Sequence, residues 1–312
     1  MKISVALTNH NQHASIKEAI ELLLSAPTKP SHIFVLSDGK PFWDFSENPT
    51  IIPINNSKKF IGRCGNRNSV IEPFLKSNDD AIIFMDGDCC PDTDDFLEKY
   101  SAVLKKYDLV FGTRRHTPVD GLDKPPSDLL TANMDNLYMG LPLDYTDLRV
   151  VSGAMQAWQS SSTFNERLDL MLTGMIGWSC NFGFTRTGLV KLTRFQRNTY
   201  GLTEGIFDSK AFRDGWGYED VAMGIDALYA GLEIGVTDSV RVRHASHDRS
   251  DGLFDHVKGR HIIMERYRGL EHLVKIKDLI YKAAILASAF FTGGLITGMV
   301  TESINLLSVI GM

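Results

Sequence analysis

Two carboxylates one residue apart, in Asp86-Gly87-Asp88, follow directly on the apolar run Ala81-Ile82-Ile83-Phe84-Met85. Hard oxygen ligands at that spacing suit a divalent ion, Mg²⁺ or Mn²⁺, held against a diphosphate. A second acidic pair closes Gly215-Trp216-Gly217-Tyr218-Glu219-Asp220. Flanking glycines let the backbone bend there, so that an indole face and a carboxylate converge on one ligand. A sugar ring, with apolar C–H faces and polar edges, suits such a pairing. Each motif alone has a plainer reading. Acidic residues after a strand are ordinary turn formers, and Glu and Asp in a first helical turn complement the helix dipole. The Trp between two glycines is what that reading leaves unexplained.

The elements that must position these groups are legible from periodicity. Ala81 to Met85 has the length and β-branched content of a core strand, and ligands in open α/β sheets sit at the carboxyl ends of strands. Ile3 to Leu7 reads as a first strand, Thr8-Asn9-His10-Asn11 as its loop, and Ser15 to Leu24 as a helix. His32 to Leu36 reads as a strand ending in Ser37-Asp38-Gly39. Val221, Ile225, Leu228 and Leu232 recur at helical spacing behind Glu219-Asp220, and Val240 to His244 is strand-like.

With D-G-D and G-W-G-Y-E-D in this order, residues 1 to 250 resemble a family 2-type glycosyltransferase of the GT-A fold. The later part resembles the carboxyl-terminal catalytic segment of β-1,4-galactosyltransferases, chondroitin-polymerase domains and polypeptide N-acetylgalactosaminyltransferases. The resemblance implies an α/β fold with a mixed, mostly parallel sheet flanked by helices, followed by a C-terminal helical tail. It implies a UDP-sugar donor and Mn²⁺ or Mg²⁺. Asn9 and Asn11 match the family's P-T-Y-N loop, although Thr8 replaces the Pro, and Asp38 matches the Asp that meets the uracil. Arg67 and Asn68 match A-R-N and lie near the nucleotide or shape its pocket, with a solvated helix-face charge the other reading of Arg67. Asp86 contacts the ribose or the metal, while Asp88 and His244 hold the metal, with His247 the second choice. Asn181, in the segment Gly177 to Phe184 before a helix bearing Arg186, either donates to a sugar hydroxyl or caps a buried turn. Trp216 packs on a sugar, Asp220 is the general base of an inverting transfer, and Glu219 orients the acceptor.

The chain accordingly divides into a nucleotide-binding half (1–112), an insertion near the acceptor (113–176), a sugar-side catalytic half (177–255) and a helical apolar tail (256–312). Pro118, Gly121, Pro125, Pro126 and Pro142 break periodicity within the insertion, where Trp158, Arg114 and Arg115 are candidates for acceptor contact or for packing. No charged residue occurs from Ala283 to Val300, and Gly294 and Gly298 have the small-x-x-x-small spacing of packed membrane helices. The tail therefore either meets a membrane or packs in a hairpin or oligomer.

A net charge of −5 argues against a nucleic-acid groove as the main surface. Cys64, Cys89, Cys90 and Cys180 lack metal-site spacing and read as buried thiols of a reducing compartment. With a strand starting at residue 3 and no signal peptide ahead of it, a cytoplasmic catalytic domain is expected. Partners are then a nucleotide sugar and a glycan, lipid-linked or other hydroxyl acceptor.

Competing activities fit less well. A nucleotidyltransferase wants a Gly-rich basic loop after strand one, a haloacid-type phosphatase wants Thr where Cys90 stands, and a calcium loop wants Gly where Pro91 stands. Glycosylation of DNA bases and an inactive sugar-nucleotide-binding module stay open as alternatives.

Overall fold

The strands nearest the acidic motifs are apolar on both faces, which only a sheet covered by helices on both sides accommodates. A computed structural model describes residues 1–41, 47–56, 61–117, 155–172, 180–203, 205–212, 217–245 and 254–267. In chain order the elements are β1 (Ile3–Asn9), α1 (His13–Ser25), β2 (His32–Ser37), β3 (Ile51–Asn55), α2 (Gly62–Asn68), α3 (Ile71–Lys76), β4 (Ala81–Asp86) and β5 (Cys89–Pro91). They continue as α4 (Phe96–Leu104), β6 (Leu109–Thr117), α5 (Phe164–Leu172), β7 (Asn181–Thr185), α6 (Arg186–Tyr200), α7 (Glu219–Tyr229), β8 (Ile234–Ala245) and α8 (Phe254–Arg266).

These strands form one eight-stranded sheet, β3-β2-β1-β4-β7-β6-β8-β5. β1 pairs in parallel with β2 and β4, β2 with β3, and β6 with β8, whereas β7 runs antiparallel to β4 and β6, and β5 to β8. This is the mixed, mostly parallel α/β sheet expected from the sequence. Ile16, Ile20, Phe96 and Tyr100 of α1 and α4 cover one face with Val5, Leu7 and Ile83. Phe74, Leu189, Leu192, Met223 and Ile225 of α3, α6 and α7 cover the other with Phe34, Phe84 and Phe182. β3 carries Pro53 and is an edge strand, the place where a missing N–H does least harm.

β1 leads to β2 and β3 on one side while β4 joins on the other, so the topological switch point lies between β1 and β4. Ligands of open α/β sheets bind there, at the strands' carboxyl ends. Thr8 and Asp86 face each other across that point, with Thr8 Oγ1 donating to Asp86 Oδ1 at 3.2 Å.

Between Phe111 and Thr113 the β6–β8 register jumps, Phe111 facing Val236 but Thr113 facing Arg241. Asn181 Nδ2 donates to the carbonyls of Thr113 (3.2 Å) and Val240 (2.8 Å). A Cβ on Gly112 would stand 2.2 Å from that nitrogen, so only glycine lets the amide reach both carbonyls. The displaced outer half of β8 then pairs with β5, Cys89 opposite His244.

At the opposite end of the sheet, buried Asp79 accepts from Ser4 Oγ and lies 2.6 Å from His32 Nδ1, tying together the starts of β1 and β2. Burial alone would raise its pKa, but these bonds and the field of His32 hold it below the ordinary carboxylate range. A folded pKa below the unfolded value contributes stability that is present above the unfolded pKa, about 3.9, and is lost as pH falls through the folded one. Denaturant melts should thus show wild type more stable than Asp79→Asn at pH 7, with the difference closing below about pH 4. A difference that stays constant down to pH 2 would remove the charge from this account.

Candidate functional site

Arg67, in the last turn of α2, is the largest fully buried side chain among the described residues and joins the two acidic motifs. Its Nη2 lies 2.7 Å from Asp86 Oδ1, and its Nη1 lies 3.3 Å from Glu219 Oε1, a residue 152 positions later. Burial opposes its charge, yet the fields of Asp86 and Glu219 outweigh that and hold the guanidinium above its ordinary pKa. Its Cζ also sits 5.4 Å from the Phe207 ring centroid. The reading of Arg67 as a solvated helix-face charge is therefore replaced by that of a buried bridge. Arg63, one turn earlier, approaches the same Glu219 oxygen at 3.7 Å. Arg63 went unread in the sequence, where its i,i+4 spacing from Arg67 could have marked the two as neighbours on one side of a helix.

Asp88 lies beyond β4 and is nearly buried. Its Oδ2 is 3.3 Å from His244 Nε2, and ligand atoms of Asp88, Cys89 and His244 all fall within 4.8 Å of one another. A carboxylate oxygen and an imidazole nitrogen at 3.3 Å match the ~3 Å between adjacent ligands of an octahedral ion bound at about 2.1 Å. That donor pair fits Mn²⁺ well and Mg²⁺ acceptably. Cys89 was missed in the sequence. Its thiol lies 3.6 Å from Asp88 Oδ1, and burial, reinforced by Cys180 and the Asp88 charge, pushes its pKa well up. All four cysteines are free and buried, as read from the sequence.

α7 begins at Glu219 after a left-handed turn, with Gly217 at φ 89° and Tyr218 at φ 68°. That turn sends the two adjacent carboxylates different ways. Glu219 points inward to Arg67, whereas half-exposed Asp220 has Oδ1 within 2.8 Å of the Val221 N–H.

The β1 and β2 loops complete the rim. Buried Asn9 donates to Ser37 Oγ (3.0 Å) and accepts from the Gln12 N–H (3.1 Å), so its side chain holds the loop together. Asn11, exposed at φ 67°, accepts from the Lys40 N–H. Asp38 follows β2 with Oδ1 2.9 Å from His10 Nδ1.

One expectation is corrected and another narrowed. Asn181 is fully buried, and besides its two donations across the β6–β8 bulge its Oδ1 accepts from Tyr100 OH at 2.7 Å, so no polar atom is left for a sugar. Asn68 gives its amide to Phe207 O (2.7 Å) and accepts from the N–H groups of Ile206 and Phe207 (3.0 Å each), bonds that fasten the end of α2 to the 206–207 segment and accord with the shaping role of its two readings. Trp158 is buried, with its indole donating to Ile234 O, and Arg186 caps the end of α3 through the carbonyls of Phe74, Leu75 and Ser77. Trp216, His247, residues 118–154 and the tail from 268 onward lie outside the described residues.

Asp86, at the end of β4 and the switch point, and Glu219, opening α7, are thus joined by a single guanidinium. The family model for glycosyl transferase family 2 matches residues 4–185. The chain belongs to glycosyl transferase family 2. This family 2 glycosyltransferase is similar in fold to S. aureus TarS 1-349 (TM-score 0.52, 14% identity, covering 90% of this chain and 69% of that one). TarS 1-349 in complex with UDP-GlcNAc gives a TM-score of 0.50 at 15% identity, covering 91% of this chain and 72% of that one. The mannosyltransferase PcManGT from Pyrobaculum calidifontis, in complex with GDP-Man and Mn2+, gives 0.53 at 12% identity over 99% of this chain and 80% of that one. No curated protein matches the sequence. Among the described residues, no helix of the family 2 glycosyltransferase is long and apolar enough to cross a membrane.

Proposed function

We propose that this glycosyltransferase moves a hexose or N-acetylhexosamine from a UDP-sugar to an acceptor hydroxyl, with inversion and with a divalent metal. The observation that carries the proposal is the bridge through Arg67. It ties Asp86 at the end of β4 to Glu219 at the start of α7, so that the Asp88–His244 pair and half-exposed Asp220 belong to the two motifs it links. TarS bound to UDP-GlcNAc and PcManGT bound to GDP-Man and Mn2+ support a nucleotide-sugar donor and a metal in general terms.

Asp88 and His244 would hold Mn²⁺ or Mg²⁺, which supplies positive charge against the departing diphosphate, an effect worth several kcal/mol in related sites. Asp86, fixed by Thr8 and Arg67, presents its second oxygen toward the ribose or the metal. Asp38 receives the base beside His10, which favours uridine, and Asn11 borders the nucleotide. The acceptor oxygen attacks the anomeric carbon as the bond to the UDP oxygen breaks. Asp220 takes the acceptor's proton, and UDP leaves with the bonding electron pair. Glu219, its Oε1 committed to Arg67, orients the acceptor with its other oxygen, and Trp216 covers the sugar and excludes water.

Acceptor contacts are assigned to 113–176, with the nucleotide half in 1–112 and the sugar side in 177–255. The acceptor is a glycan, a lipid-linked group or another hydroxyl compound. The apolar stretch 283–312 would place the enzyme at a membrane or in an oligomer, with its catalytic side cytoplasmic. Glycosylation of DNA bases is the second reading, opposed by the net charge of −5.

The test is binding and hydrolysis of a panel of nucleotide sugars by wild type and Asp88→Ala, with and without Mn²⁺. One UDP-sugar should be recognised in a metal-dependent manner, and the substitution should reduce its turnover by about 100-fold or more. Equal turnover by the Asp88→Ala protein, or recognition unaffected by chelator, would refute the metal assignment.

A further inference from the structure

The turn that aims Glu219 and Asp220 is a strained one. Tyr218 is a bulky residue in the left-handed region, a conformation that L side chains avoid and that persists only where the surroundings hold it. Helix α8, most of which lies in the stretch read from the sequence as an apolar tail, packs directly on that turn. Buried Gly259 approaches so closely that a Cβ there would stand 2.5 Å from the Gly217 carbonyl oxygen and 3.3 Å from the Tyr218 Cβ. Nothing larger than a hydrogen fits between the helix and the strained turn.

The other end of α8 is fastened to α7 and its neighbours by buried polar bonds. Tyr267, just beyond the helix, donates its hydroxyl to Asp226 Oδ1 at 2.7 Å and lies 3.0 Å from the Ala222 carbonyl. Asp226 is wholly buried and also accepts from Gln196 Nε2 (2.9 Å) and Tyr200 OH (3.1 Å) of α6. Arg266 pairs with Asp208 at 2.7 Å while its guanidinium lies 4.2 Å from the Tyr200 ring centroid. Contacts thus advance along both helices together, from Gly259 on Gly217 and Tyr218 to Tyr267 on Ala222 and Asp226. The bonds among α6, α7 and α8 make the three a single unit, far firmer than a lone surface helix.

We propose that α8 is a brace that sets the aim of Glu219 and Asp220, with Gly259 as the positioning residue and the Tyr267–Asp226 bond as its latch. The brace holds the left-handed Tyr218 turn in place, and through it the first peptide of α7, from which both carboxylates project. This rests on the functional reading above, since the brace matters only if that pair acts on the acceptor. It predicts that residues which touch neither donor nor acceptor control turnover without controlling donor binding.

Two variants of the full chain test it, Gly259→Ala at the turn and Tyr267→Phe at the latch. For each, kcat for hydrolysis of the UDP-sugar that wild type turns over is measured well below the melting temperature, beside affinity for UDP with Mn²⁺ by calorimetry. Misplacing a catalytic group by a fraction of an ångström to an ångström should lower kcat by ~10- to 100-fold in Gly259→Ala and by a smaller factor in Tyr267→Phe. UDP affinity should stay within about two-fold of wild type in both, because the bonds and close contacts described above for the brace go to Gly217, Tyr218, Ala222, Asp226, Asp208 and Tyr200, none of them assigned to the nucleotide. A helix that serves only stability would lower the melting temperature and leave kcat alone, and that result in both variants would overturn the proposal. Parallel loss of UDP affinity would overturn it as well. If Gly259→Ala fails to fold, Tyr267→Phe decides by itself, since it deletes one oxygen without adding volume. Absence of any nucleotide-sugar turnover by wild type would instead sink the functional reading and the brace with it. An active wild type with unaffected variants would sink the brace alone.

Discussion

Asp220→Asn is expected to lower sugar transfer by about 10²- to 10⁴-fold, the usual range for loss of a general base. Asp220 and Asn are nearly isosteric, and the amide oxygen can still accept from the Val221 N–H, now 2.8 Å from the carboxylate. The start of α7 should therefore keep its shape. Donor affinity should hold within about two-fold, since the substitution removes an interaction made only in the transition state. Single-turnover transfer to the acceptor, beside calorimetric titration with UDP and Mn²⁺, gives both numbers. Loss of UDP binding would move Asp220 from catalysis to the nucleotide pocket, and wild-type transfer rates would remove it from the mechanism.

Arg67→Met should produce the largest loss of stability of any single change at the site. It removes the buried cation between Asp86 and Glu219, leaving buried Glu219 with only the more distant, partly exposed Arg63. Removing one partner of a buried ion pair typically costs about 3–5 kcal/mol. Arg67→Lys should recover little, because one ammonium cannot reproduce the planar fork that meets Asp86 at 2.7 Å and Glu219 at 3.3 Å. Adding Glu219→Gln to Arg67→Met should restore part of the stability by removing one of the stranded charges. Chemical denaturation of the three variants tests this, and an unchanged midpoint for Arg67→Met would show that the bridge contributes nothing.

Much of this arrangement is legible in the order of residues alone. The apolar runs of β1, β2 and β4 have no other stable home than a covered sheet. An acidic pair formed by the last residue of β4 and the second residue beyond it must then appear at the strand's carboxyl end, and His244 does come to face Asp88. Element ends were less legible: β1 runs on to Asn9 because Thr8 and Asn9 pair with β2, beyond the last apolar residue. β3 was missed because Pro53 breaks a strand pattern everywhere except at an edge. The Arg67–Glu219 bond spans 152 positions, and no local spacing encodes a partner that distant. Asn181 misled for a different reason. The same amide serves a sugar hydroxyl or two orphaned carbonyls equally well, and only the register jump beside Gly112 shows which it meets.

That jump also has a practical consequence. In passing from Val236 to Arg241, β8 makes an excursion through half-buried Thr237 and exposed Asp238 and Ser239 while β6 advances only from Phe111 to Thr113. Its far end is pinned by the Asn181 bond to the Val240 carbonyl. Extra chain inserted at Asp238 would bulge into solvent, leaving the pairing of Cys89 with His244 as it is. The excursion is thus a natural attachment point for a fluorophore or a short epitope, a handle on the sheet from which this enzyme can be watched or immobilised while it works.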